Sequence, residues 1–210
     1  MAQLGFDAPA PKRGRPGYDR EQVLAVAVRV FNEQGYDATS VADLSATLGL
    51  TKSALYHHFE SKSAILELAL NDALDALEAV VDDATARHPL ASDRLRSIIR
   101  GAVRVLTEKL PSVTLLLRVR GNGDVETSAL VRRRAFDQRV TAIVAEAQAE
   151  GLIRDDVDAA VATRLIFGMI NSVVEWYRPG GPVDPDELGE DILRVSLDLS
   201  LIHISEPPRD

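Results

Sequence analysis

The beginning of the chain shows a polar cap, an apolar stripe at helical spacing and a glycine, in that order. Asp19 stands three residues before Gln22, which is the spacing of a capping box at the start of a helix. The apolar positions that follow recur every three or four residues: Val23, Leu24, Ala27, Val30 and Phe31. Gly35 then favours a helix end. We therefore predict one amphipathic helix between Asp19 and Gly35.

Two shorter apolar stripes follow, and a capping residue precedes each of them. Ser40 stands three residues before an aspartate and opens a stripe that Gly49 ends, which predicts a second helix of about two turns. Thr51 can cap a third helix over residues 52–58. Two short helices joined by a glycine turn are the layout of a helix-turn-helix, so we predict such a unit within residues 19–63.

The rest of the chain also shows helical periodicity. Ser61 opens a long fourth helix, and Pro111 is expected to end the fifth one. Further helices are predicted at residues 92–109, 125–150, 159–177 and 185–202, with a short apolar piece at 113–119. The fold class is therefore all-α, with a helix-turn-helix domain of three helices and a larger C-terminal helical domain. The predicted division is a basic arm at 1–18, the helix-turn-helix at 19–63, the helical domain at 64–205 and a disordered tail at 206–210.

Charge divides the chain into two parts. The net charge is −8, but residues 1–63 carry 7 basic and 7 acidic side chains, so the acidic excess lies entirely in the remainder. Four basic residues cluster near the start of the chain, with Asp19 as the only acid among them: Lys12, Arg13, Arg15 and Arg20. Glycines and a proline between them disfavour a helix, so we predict a flexible cationic arm. The alternative is a solvated tail without a function.

The motif content argues against an enzyme, a metal protein and a membrane protein. The chain has no cysteine, no G-x-S-x-G, no phosphate-binding glycine loop and no H-E-x-x-H, and its 4 histidines are not spaced as ligands on one helix face. No apolar run approaches the roughly 18 residues that a membrane span needs. We expect a cytoplasmic protein without a cofactor, a metal ion or a membrane partner.

The predicted third helix has the residue types that the DNA major groove requires. Its cap and first residues are small or polar, so that the backbone can approach base edges: Thr51, Lys52, Ser53 and Ala54. Tyr56 and His57 add hydrogen-bonding groups one turn later, and Lys62 can pair with a phosphate. Leu55 and Phe59 are expected to pack inward. On spacing alone, an ordinary packing unit of three helices is an alternative.

Three stretches within residues 20–66 read "FNEQGYDATSV", "GLTKSALYHHF" and "SKSAIL". Together they resemble the DNA-binding domain of the TetR family of transcriptional repressors. The resemblance implies a ligand-responsive repressor whose homodimer binds a palindromic operator in double-stranded DNA, and which is not an enzyme. The DNA contacts that it implies are Thr39, Thr51, Lys52, Ser53, Tyr56, His57 and Lys62. It also makes the basic arm a DNA contact, for which we select Arg13 and Arg15, and the small residue Ala54 completes the predicted set from the helix start.

The segment "EWYRPGG" places the only tryptophan, a tyrosine and an arginine at a predicted helix end. It resembles the same segment in TetR-type regulators of fatty-acid, phenylacetate and steroid catabolism, which implies an acyl-CoA thioester as the small-molecule effector. Arginines suit the phosphates of such a ligand, and apolar side chains suit its acyl group. The candidate ligand-binding residues are Arg118, Arg120, Phe167, Asn171, Trp176 and Arg178.

The same features allow other interpretations. Trp176 and Tyr177 could anchor the helix end in the core, with Arg178 capping its carbonyl groups. A cluster of arginines at positions 132, 133, 134 and 139 could also bind the effector, although consecutive arginines on a helix usually point to different sides. The alternative functions are a repressor of an efflux gene that responds to free lipophilic drugs, and an architectural DNA-binding helical protein.

The predicted helix at 159–177 is apolar on most sides, so it must be covered on more than one side. A dimer would supply the second cover, and a single short recognition helix reads too few base pairs to be specific. The resemblance implies that the last two long helices form a four-helix bundle across a two-fold axis. The candidate interface residues are Ile166, Ile170, Val173, Leu193, Leu197 and Leu201. We expect the effector to shift the fourth helix and thereby alter the spacing of the two recognition helices.

Overall fold

A computed structural model describes residues 19–151 and 153–198, and every regular element within them is helical, as the sequence predicts. The helices are α1 (Arg20–Gln34), α2 (Val41–Leu48), α3 (Lys52–His58), α4 (Lys62–Arg87), α5 (Ala91–Glu108), α6 (Leu110–Arg118), α7 (Asp124–Ala149), α8 (Ala159–Trp176) and α9 (Pro185–Leu193), followed by a π-helical turn (Arg194–Asp198). None of these helices has the length and apolar character needed to cross a membrane. The predicted arm and tail lie outside the described residues, and so do Arg13, Arg15 and Leu201.

The first three helices begin and end where the local sequence signals predict. Capping boxes open α1 at Asp19 and α2 at Ser40, and the side chain of Thr51 accepts a hydrogen bond from a backbone N–H in the first turn of α3. Gly49 after α2 has a φ of 63°, a left-handed conformation that favours glycine. The two predicted inward positions are buried: Leu55 and Phe59. The predicted helix-turn-helix is confirmed.

The fifth helix is the centre of the C-terminal domain. α5 contacts α4, α6, α7, α8 and α9, and α4 in turn packs on α1, α5, α6 and α7. The apolar positions of α5 recur at helical spacing and are buried: Leu95, Ile98, Ile99, Ala102, Val103 and Leu106. Burial of this stripe removes a large apolar area from water, which is the main stabilising contribution to such a domain.

The sequence predicts that Pro111 ends the fifth helix, but in the structure this proline also opens the sixth helix. α5 ends at Glu108, and α6 begins at Leu110, where the sequence predicts only a short apolar piece at 113–119. Pro111 stands in the first turn of α6, where a helix has no partner for the N–H that proline lacks. The proline therefore opens a helix directly after another one ends.

The last described helix changes its hydrogen-bond pattern within the predicted range of 185–202. α9 packs on α5 and ends at Leu193, and the π-helical turn continues the chain to Asp198. Arg100 and Arg104 of α5 form ion pairs with Glu190 and Asp186 of α9. The remainder of the predicted helix at 185–202 lies outside the described residues.

The sixth helix connects the two domains. Near the end of α1, Asn32 donates a hydrogen bond from Nδ2 to the carbonyl oxygen of Pro111 at 2.9 Å. Arg118 at the other end of α6 donates to the carbonyl oxygen of Asn32 at 2.6 Å. In the following loop, Asn122 donates from its side-chain amide to the carboxylate of Asp37 at 2.8 Å. A movement of α6 would therefore act directly on α1 and the loop that follows it.

A buried carboxylate holds the loop between α6 and α7. Glu126 accepts hydrogen bonds on one oxygen from the backbone N–H groups of Arg120, Gly121 and Asn122, at 3.1, 2.7 and 2.9 Å. Three N–H groups directed at one carboxylate oxygen fix the backbone of the loop, because bonds to a charged acceptor are stronger than neutral ones. The loop therefore presents Asn122 to the DNA-binding domain in one conformation.

Candidate DNA-binding surface and effector cavity

The recognition helix α3 turns one side into the core and leaves the other side exposed. Leu55 is buried, whereas Tyr56 keeps 51% of its surface exposed and His57 beside it is also exposed. The cap and the first turn are exposed or half-buried: Thr51, Lys52, Ser53 and Ala54. The structure therefore brings six of the predicted DNA contacts together on one surface, where they can reach base edges and phosphates. Their contact with DNA stays a prediction.

Thr39 and Lys62 are engaged within the chain, which corrects the predicted role of the Thr39 hydroxyl and leaves the role of Lys62 a prediction. Thr39 is 1% exposed, and its hydroxyl donates to the carbonyl oxygen of Gly35 at 2.7 Å. The ammonium of Lys62 donates to the carbonyl oxygens of Tyr36 and Thr39 at 2.8 and 2.9 Å, and it lies 4.1 Å from the centre of the Tyr36 ring. The hydroxyl of Thr39 is too deeply buried to bind a phosphate. Lys62 fixes the loop between α1 and α2 with two of its three ammonium protons, and its contact with a phosphate stays a prediction.

A cavity of about 630 Å³ lies within the C-terminal domain, between α4 and α8. This volume is in the range of small-molecule sites. The helices α4, α5 and α6 supply an apolar wall: Leu74, Leu77, Ala102, Leu106, Val113, Leu116 and Leu117. The helices α7 and α8 supply both aromatic and polar side chains. The cavity therefore suits a ligand with one apolar part and one polar part.

Three arginines of α7 and α8 line the cavity: Arg133, Arg134 and Arg164. Their guanidinium groups form no hydrogen bond or ion pair with any residue in the ranges 19–151 and 153–198. Two neighbouring arginines of α7 differ, since Arg132 forms ion pairs with Glu78 and Asp75 of α4, and Arg139 forms one with Asp82. Helix α7 thus directs two arginines to α4 and two to the cavity. The three arginines of the cavity can bind an anionic group.

Of the described residues that line the cavity, only Asp137 is acidic. It follows Arg133 by one helical turn and interacts electrostatically with Arg133 and Arg164. Burial raises the pKa of Asp137 above its ordinary value, while the two arginines act in the opposite direction. One turn further along α7, the hydroxyl of Thr141 lies 3.3 Å from the buried hydroxyl of Thr163 in α8. A polar strip therefore follows the contact between α7 and α8.

The structure brings two of the six predicted ligand-binding residues to the cavity. Phe167 and Asn171 of α8 line it, and the Phe167 ring meets Phe136 edge to face with 5.3 Å between ring centres. Arg118 and Arg120 do not line it, which corrects their predicted role. The guanidinium of Arg118 binds the DNA-binding domain, and Arg120 is exposed in the loop after α6.

The end of α8 has a structural role, which corrects the predicted role of the "EWYRPGG" segment. Tyr177 is buried, and Arg178 donates to the carbonyl oxygens of Tyr177 and Glu175 at 2.8 and 3.4 Å. Trp176 is 48% exposed, and neither Trp176 nor Arg178 lines the cavity. The alternative interpretation therefore describes Tyr177 and Arg178 correctly, because the tyrosine anchors the helix end and the arginine caps its carbonyl groups.

The predicted dimer interface also requires correction. Five of its residues are at most 7% exposed within the single chain: Ile166, Ile170, Val173, Leu193 and Leu197. Such side chains have almost no surface left to bury against a partner. The apolar side chains that α8 leaves exposed are Val161, Leu165 and Trp176, and Leu165 keeps 65% of its surface exposed. Their spacing puts them on one side of the helix, so α8 has two apolar sides and the prediction chose the inner one.

Sequence reasoning missed Asp137 and Arg164 as cavity residues, and it considered Arg133 and Arg134 without selecting them. A weak local signal was present, because Arg133, Asp137 and Thr141 recur every four residues along one side of α7. The same pattern is typical of a solvated helix face, so it is not specific. Only the packing of α8 on α7 distinguishes a cavity wall from a surface.

Two family models together match most of the chain. Residues 23–69 match the model of bacterial regulatory proteins of the tetR family, and residues 89–199 match the tetracyclin repressor-like C-terminal domain. The first match contains the helix-turn-helix, and the second contains most of the helices that line the cavity.

Individual relatives agree with the family models. The HTH-type transcriptional repressor KstR2 of Mycolicibacterium smegmatis is 29% identical over 190 residues, which cover 87% of this chain and 91% of that protein. SCO3833 from Streptomyces coelicolor A3, a member of the TetR transcriptional regulator family, is 48% identical with a TM-score of 0.79 over 83% of this chain and 89% of its own. The ketosteroid transcriptional regulator KstR2 of Mycobacterium tuberculosis is 25% identical with a TM-score of 0.78, and the match covers 88% and 96% of the two chains. The chain belongs to the TetR family of DNA-binding transcriptional repressors, which are regulators and not enzymes.

Proposed function

We propose that this cytoplasmic repressor acts as a dimer on a palindromic operator and is released by an acyl-CoA thioester bound in the cavity between α4 and α8. One observation carries the proposal. The cavity combines a wall of aliphatic side chains with three arginines that form no hydrogen bond or ion pair in the described part of the chain.

The chemistry of an acyl-CoA corresponds to this division of the cavity. Its acyl group is apolar and gains free energy on leaving water, which the wall from α4, α5 and α6 provides. Its phosphates need cations, and arginine is the preferred partner because its planar guanidinium binds two phosphate oxygens at once. Arg133, Arg134 and Arg164 would supply these cations at the side formed by α7 and α8. A free lipophilic drug would need the apolar wall but not the three arginines.

The KstR2 relatives support a bulky apolar acyl part. One of them is described as a ketosteroid regulator, and a ketosteroid skeleton is large and largely apolar. The seven aliphatic side chains of the cavity wall, among them Leu74, Leu106 and Leu116, are suited to such a group. We therefore expect thioesters of long or ring-containing acids to bind more tightly than those of short acids.

The sixth helix offers a path from the cavity to the DNA-binding domain. Val113, Leu116 and Leu117 of α6 line the cavity, while the ends of the same helix are hydrogen-bonded to α1 through Asn32. A ligand that displaces α6 would therefore also displace α1, and α4 would move with it because it packs on both helices. Release from DNA requires that the ligand bind one arrangement of these helices more tightly than the other.

The exposed apolar side of α8 supports the dimer. Val161, Leu165 and Trp176 lie on this side, and Val195 of the π-helical turn is also exposed. Exposed apolar side chains grouped in this way are typical of protein interfaces. Leu165→Asp would place a charge in that contact, so we expect this variant to sediment as a monomer where the wild type sediments as a dimer. A variant that stays dimeric would remove the exposed side of α8 from the interface.

The first experiment measures operator binding by fluorescence anisotropy, using the DNA upstream of the protein's own gene. Butyryl-CoA, octanoyl-CoA and palmitoyl-CoA are added beside the corresponding free acids. Release by a thioester and not by its acid supports the proposal. Release by free lipophiles alone would favour the efflux-type repressor, and tight DNA binding that no thioester releases would reject the effector class while leaving the repressor.

Matched variants of α7 test where the ligand binds. Arg133→Gln and Arg134→Gln each remove one cation from the cavity, and we expect the thioester concentration for release to rise roughly tenfold, as the loss of a charged hydrogen bond predicts. Arg139→Gln makes the same change on the same helix, but Arg139 is paired with Asp82 and does not line the cavity. An equal effect of all three substitutions would indicate a general loss of positive charge.

A further inference from the structure

Asn171 differs from the other uncharged polar side chains that line the cavity. It is half-buried, and its side-chain amide forms no hydrogen bond with a residue of the described ranges. The hydroxyl groups of Thr141 and Thr163 donate to backbone carbonyl oxygens one turn earlier in their own helices, each at 2.8 Å. The amide of Gln138 is exposed to water. Asn171 therefore has hydrogen-bonding capacity in the cavity that the described part of the chain leaves unused.

The surroundings of Asn171 in α8 are largely apolar. Ile170 beside it is buried, and Phe167 one turn before it packs on Phe136. Half-burial among such side chains removes part of the water that would otherwise hydrogen-bond the amide. A residue with only a structural role at this place would be expected to be apolar or to be paired within the chain. The amide therefore favours a ligand that presents a hydrogen-bond acceptor at this point.

The packing of α7 on α8 places Asn171 between the aliphatic wall and the arginines. The contact of the two threonines and the contact of the two phenylalanines show that the helices run in opposite directions. One further turn along both helices brings Asn171 opposite the turn of α7 that carries Arg133. Ile170 continues the aliphatic wall on the inner side. Arg164 lies two turns before Asn171, about 10 Å along the axis of α8.

An acyl-CoA has its groups in the same order. Its acyl chain ends at a thioester carbonyl, whose oxygen accepts hydrogen bonds, and a neutral spacer then leads to the phosphates. With the acyl chain on the aliphatic wall and a phosphate on Arg164, the thioester would lie at the boundary where Asn171 stands. The amide of Asn171 has two N–H donors for the carbonyl oxygen.

We propose that Asn171 recognises the thioester of the effector by donating a hydrogen bond from its side-chain amide to the thioester carbonyl oxygen. This inference rests on the proposed function and adds the group of the ligand that Asn171 binds. The acyl chain and the phosphates supply most of the affinity, whereas the hydrogen bond to the carbonyl depends on the bond between the acid and the coenzyme. The repressor then responds to the product of the class of reactions that join an acid to coenzyme A.

The test compares octanoyl-CoA with S-octyl-CoA and palmitoyl-CoA with S-hexadecyl-CoA. Each thioether has the chain length and the phosphates of its thioester but lacks the carbonyl oxygen. Dissociation constants are measured by calorimetry on the full chain of the wild type and of Asn171→Leu, which keeps the size of the side chain and removes its donors. We expect the ratio of the constant of the thioether to that of the thioester to be roughly fivefold higher in the wild type, as one neutral hydrogen bond predicts.

Two further variants control for shape and for position. Asn171→Asp has the shape of asparagine, but its ionised carboxylate cannot donate a hydrogen bond, so the ratio should fall as it does in Asn171→Leu. Gln138→Leu removes the other side-chain amide among the described residues of the cavity, and the ratio should stay within about twofold of the wild type. A thioester and its thioether carry the same phosphates, so a change in the charge of the cavity cancels in the ratio. A thermal unfolding curve confirms that each variant is folded.

The outcomes separate the inference from the proposed function. If the wild type binds a thioester no more tightly than its thioether, or if the variants of Asn171 keep the ratio of the wild type, the role of Asn171 is wrong and the effector class stands. If Gln138→Leu lowers the ratio as much as Asn171→Leu does, the effect is not specific to Asn171, which also overturns the inference. If the wild type binds neither thioester, the effector class and the role of Asn171 both fail.

Discussion

The DNA-binding surface and the effector cavity both present polar side chains that the chain itself leaves available, but the two are assembled over very different distances in the sequence. The recognition surface comes from seven consecutive positions, Thr51 to His57, on one short helix and its cap. The cavity collects residues between Leu74 and Asn171 from five helices. The DNA-binding surface is fixed by local caps and periodicity. The effector cavity exists only after the helices have packed.

The arginines of α7 show the same contrast on a smaller scale. Arg132 and Arg133 are neighbours in sequence, yet the first binds carboxylates of α4 and the second lines the cavity. The side-chain hydrogen bonds to Glu78 and Asp75 raise the pKa of Arg132 and keep it charged. The residue type is thus a poor guide to function here. What a side chain meets across the helix contact determines whether it stabilises the fold or is available for a ligand.

The largest expected effect is a loss of operator binding that leaves the effector cavity unchanged. Tyr56→Ala should weaken operator binding roughly 10- to 100-fold, as the loss of a side chain in contact with DNA predicts. The exposed position of Tyr56 predicts little change in stability and none in the affinity for octanoyl-CoA. Anisotropy with operator DNA and calorimetry with the thioester measure the two properties. Tyr56→Phe is the control that removes only the hydroxyl, and unchanged operator affinity in Tyr56→Ala would remove this residue from the DNA contacts.

The next prediction tests the connection between the regions. Glu126→Ala leaves three backbone N–H groups of the loop without their shared acceptor, so we expect the free energy of unfolding in urea to fall by about 1 to 3 kcal/mol. The loop also positions Asn122 on Asp37, so operator affinity should fall as well. Glu126→Gln keeps one acceptor oxygen and should lose less. If Glu126→Ala keeps the stability of the wild type, the loop does not depend on this carboxylate.

The sequence predicts the DNA-binding unit well because its determinants are only a few residues apart. The pairs Asp19 with Gln22 and Ser40 with Asp43 are reciprocal caps that span three residues, and both are formed as predicted. Pro111 shows the limit of such signals, since proline is compatible with the end of one helix and with the start of the next. Its actual position in the first turn of α6 depends on the chain turning directly after α5.

The cavity could not be predicted with the same success because its residues are selected by packing. The basic character of Arg118 and Arg178 suggested ligand contacts, but their guanidinium groups donate to the backbone carbonyl oxygens of Asn32 and Tyr177 and do not line the cavity. The partner of Arg118 lies 86 residues away in the sequence, so no short-range pattern reveals it. In α8 the inner stripe with Ile166 and the outer stripe with Leu165 are both apolar, so composition alone could not decide which one faces a partner.

A smaller effect, on the free energy of unfolding, distinguishes the open cavity beside α8 from the packed contact between α5 and α4. Gly168 lies inside α8 and lines the cavity, and no atom of another described helix lies within 4 Å of the position that a Cβ would take. Gly168→Ala should therefore raise the free energy of unfolding by about 0.5 to 1 kcal/mol, since glycine is unfavourable within a helix. Gly101 inside α5 is the matched control, because its Cβ would lie 2.5 Å from Cγ1 of Val80. Urea unfolding of the two variants should give changes of opposite sign, and a loss of stability in Gly168→Ala would show that the space is not free.

The smallest effect concerns the dependence of stability on pH. Burial raises the pKa of Asp137 above its ordinary value of 3.8, so the folded protein holds this proton more tightly than the unfolded chain does. Its contribution to stability is then fully present below 3.8 and is lost as the pH rises through the pKa of the folded state. Asp137→Asn cannot ionise, so it should be more stable than the wild type at pH 7, and the difference should disappear in acid. Asp82→Asn should do the reverse at pH 7, because it removes the ion pair with Arg139. A wild type that is as stable as Asp137→Asn at neutral pH would mean that the cavity does not disfavour the charge of Asp137.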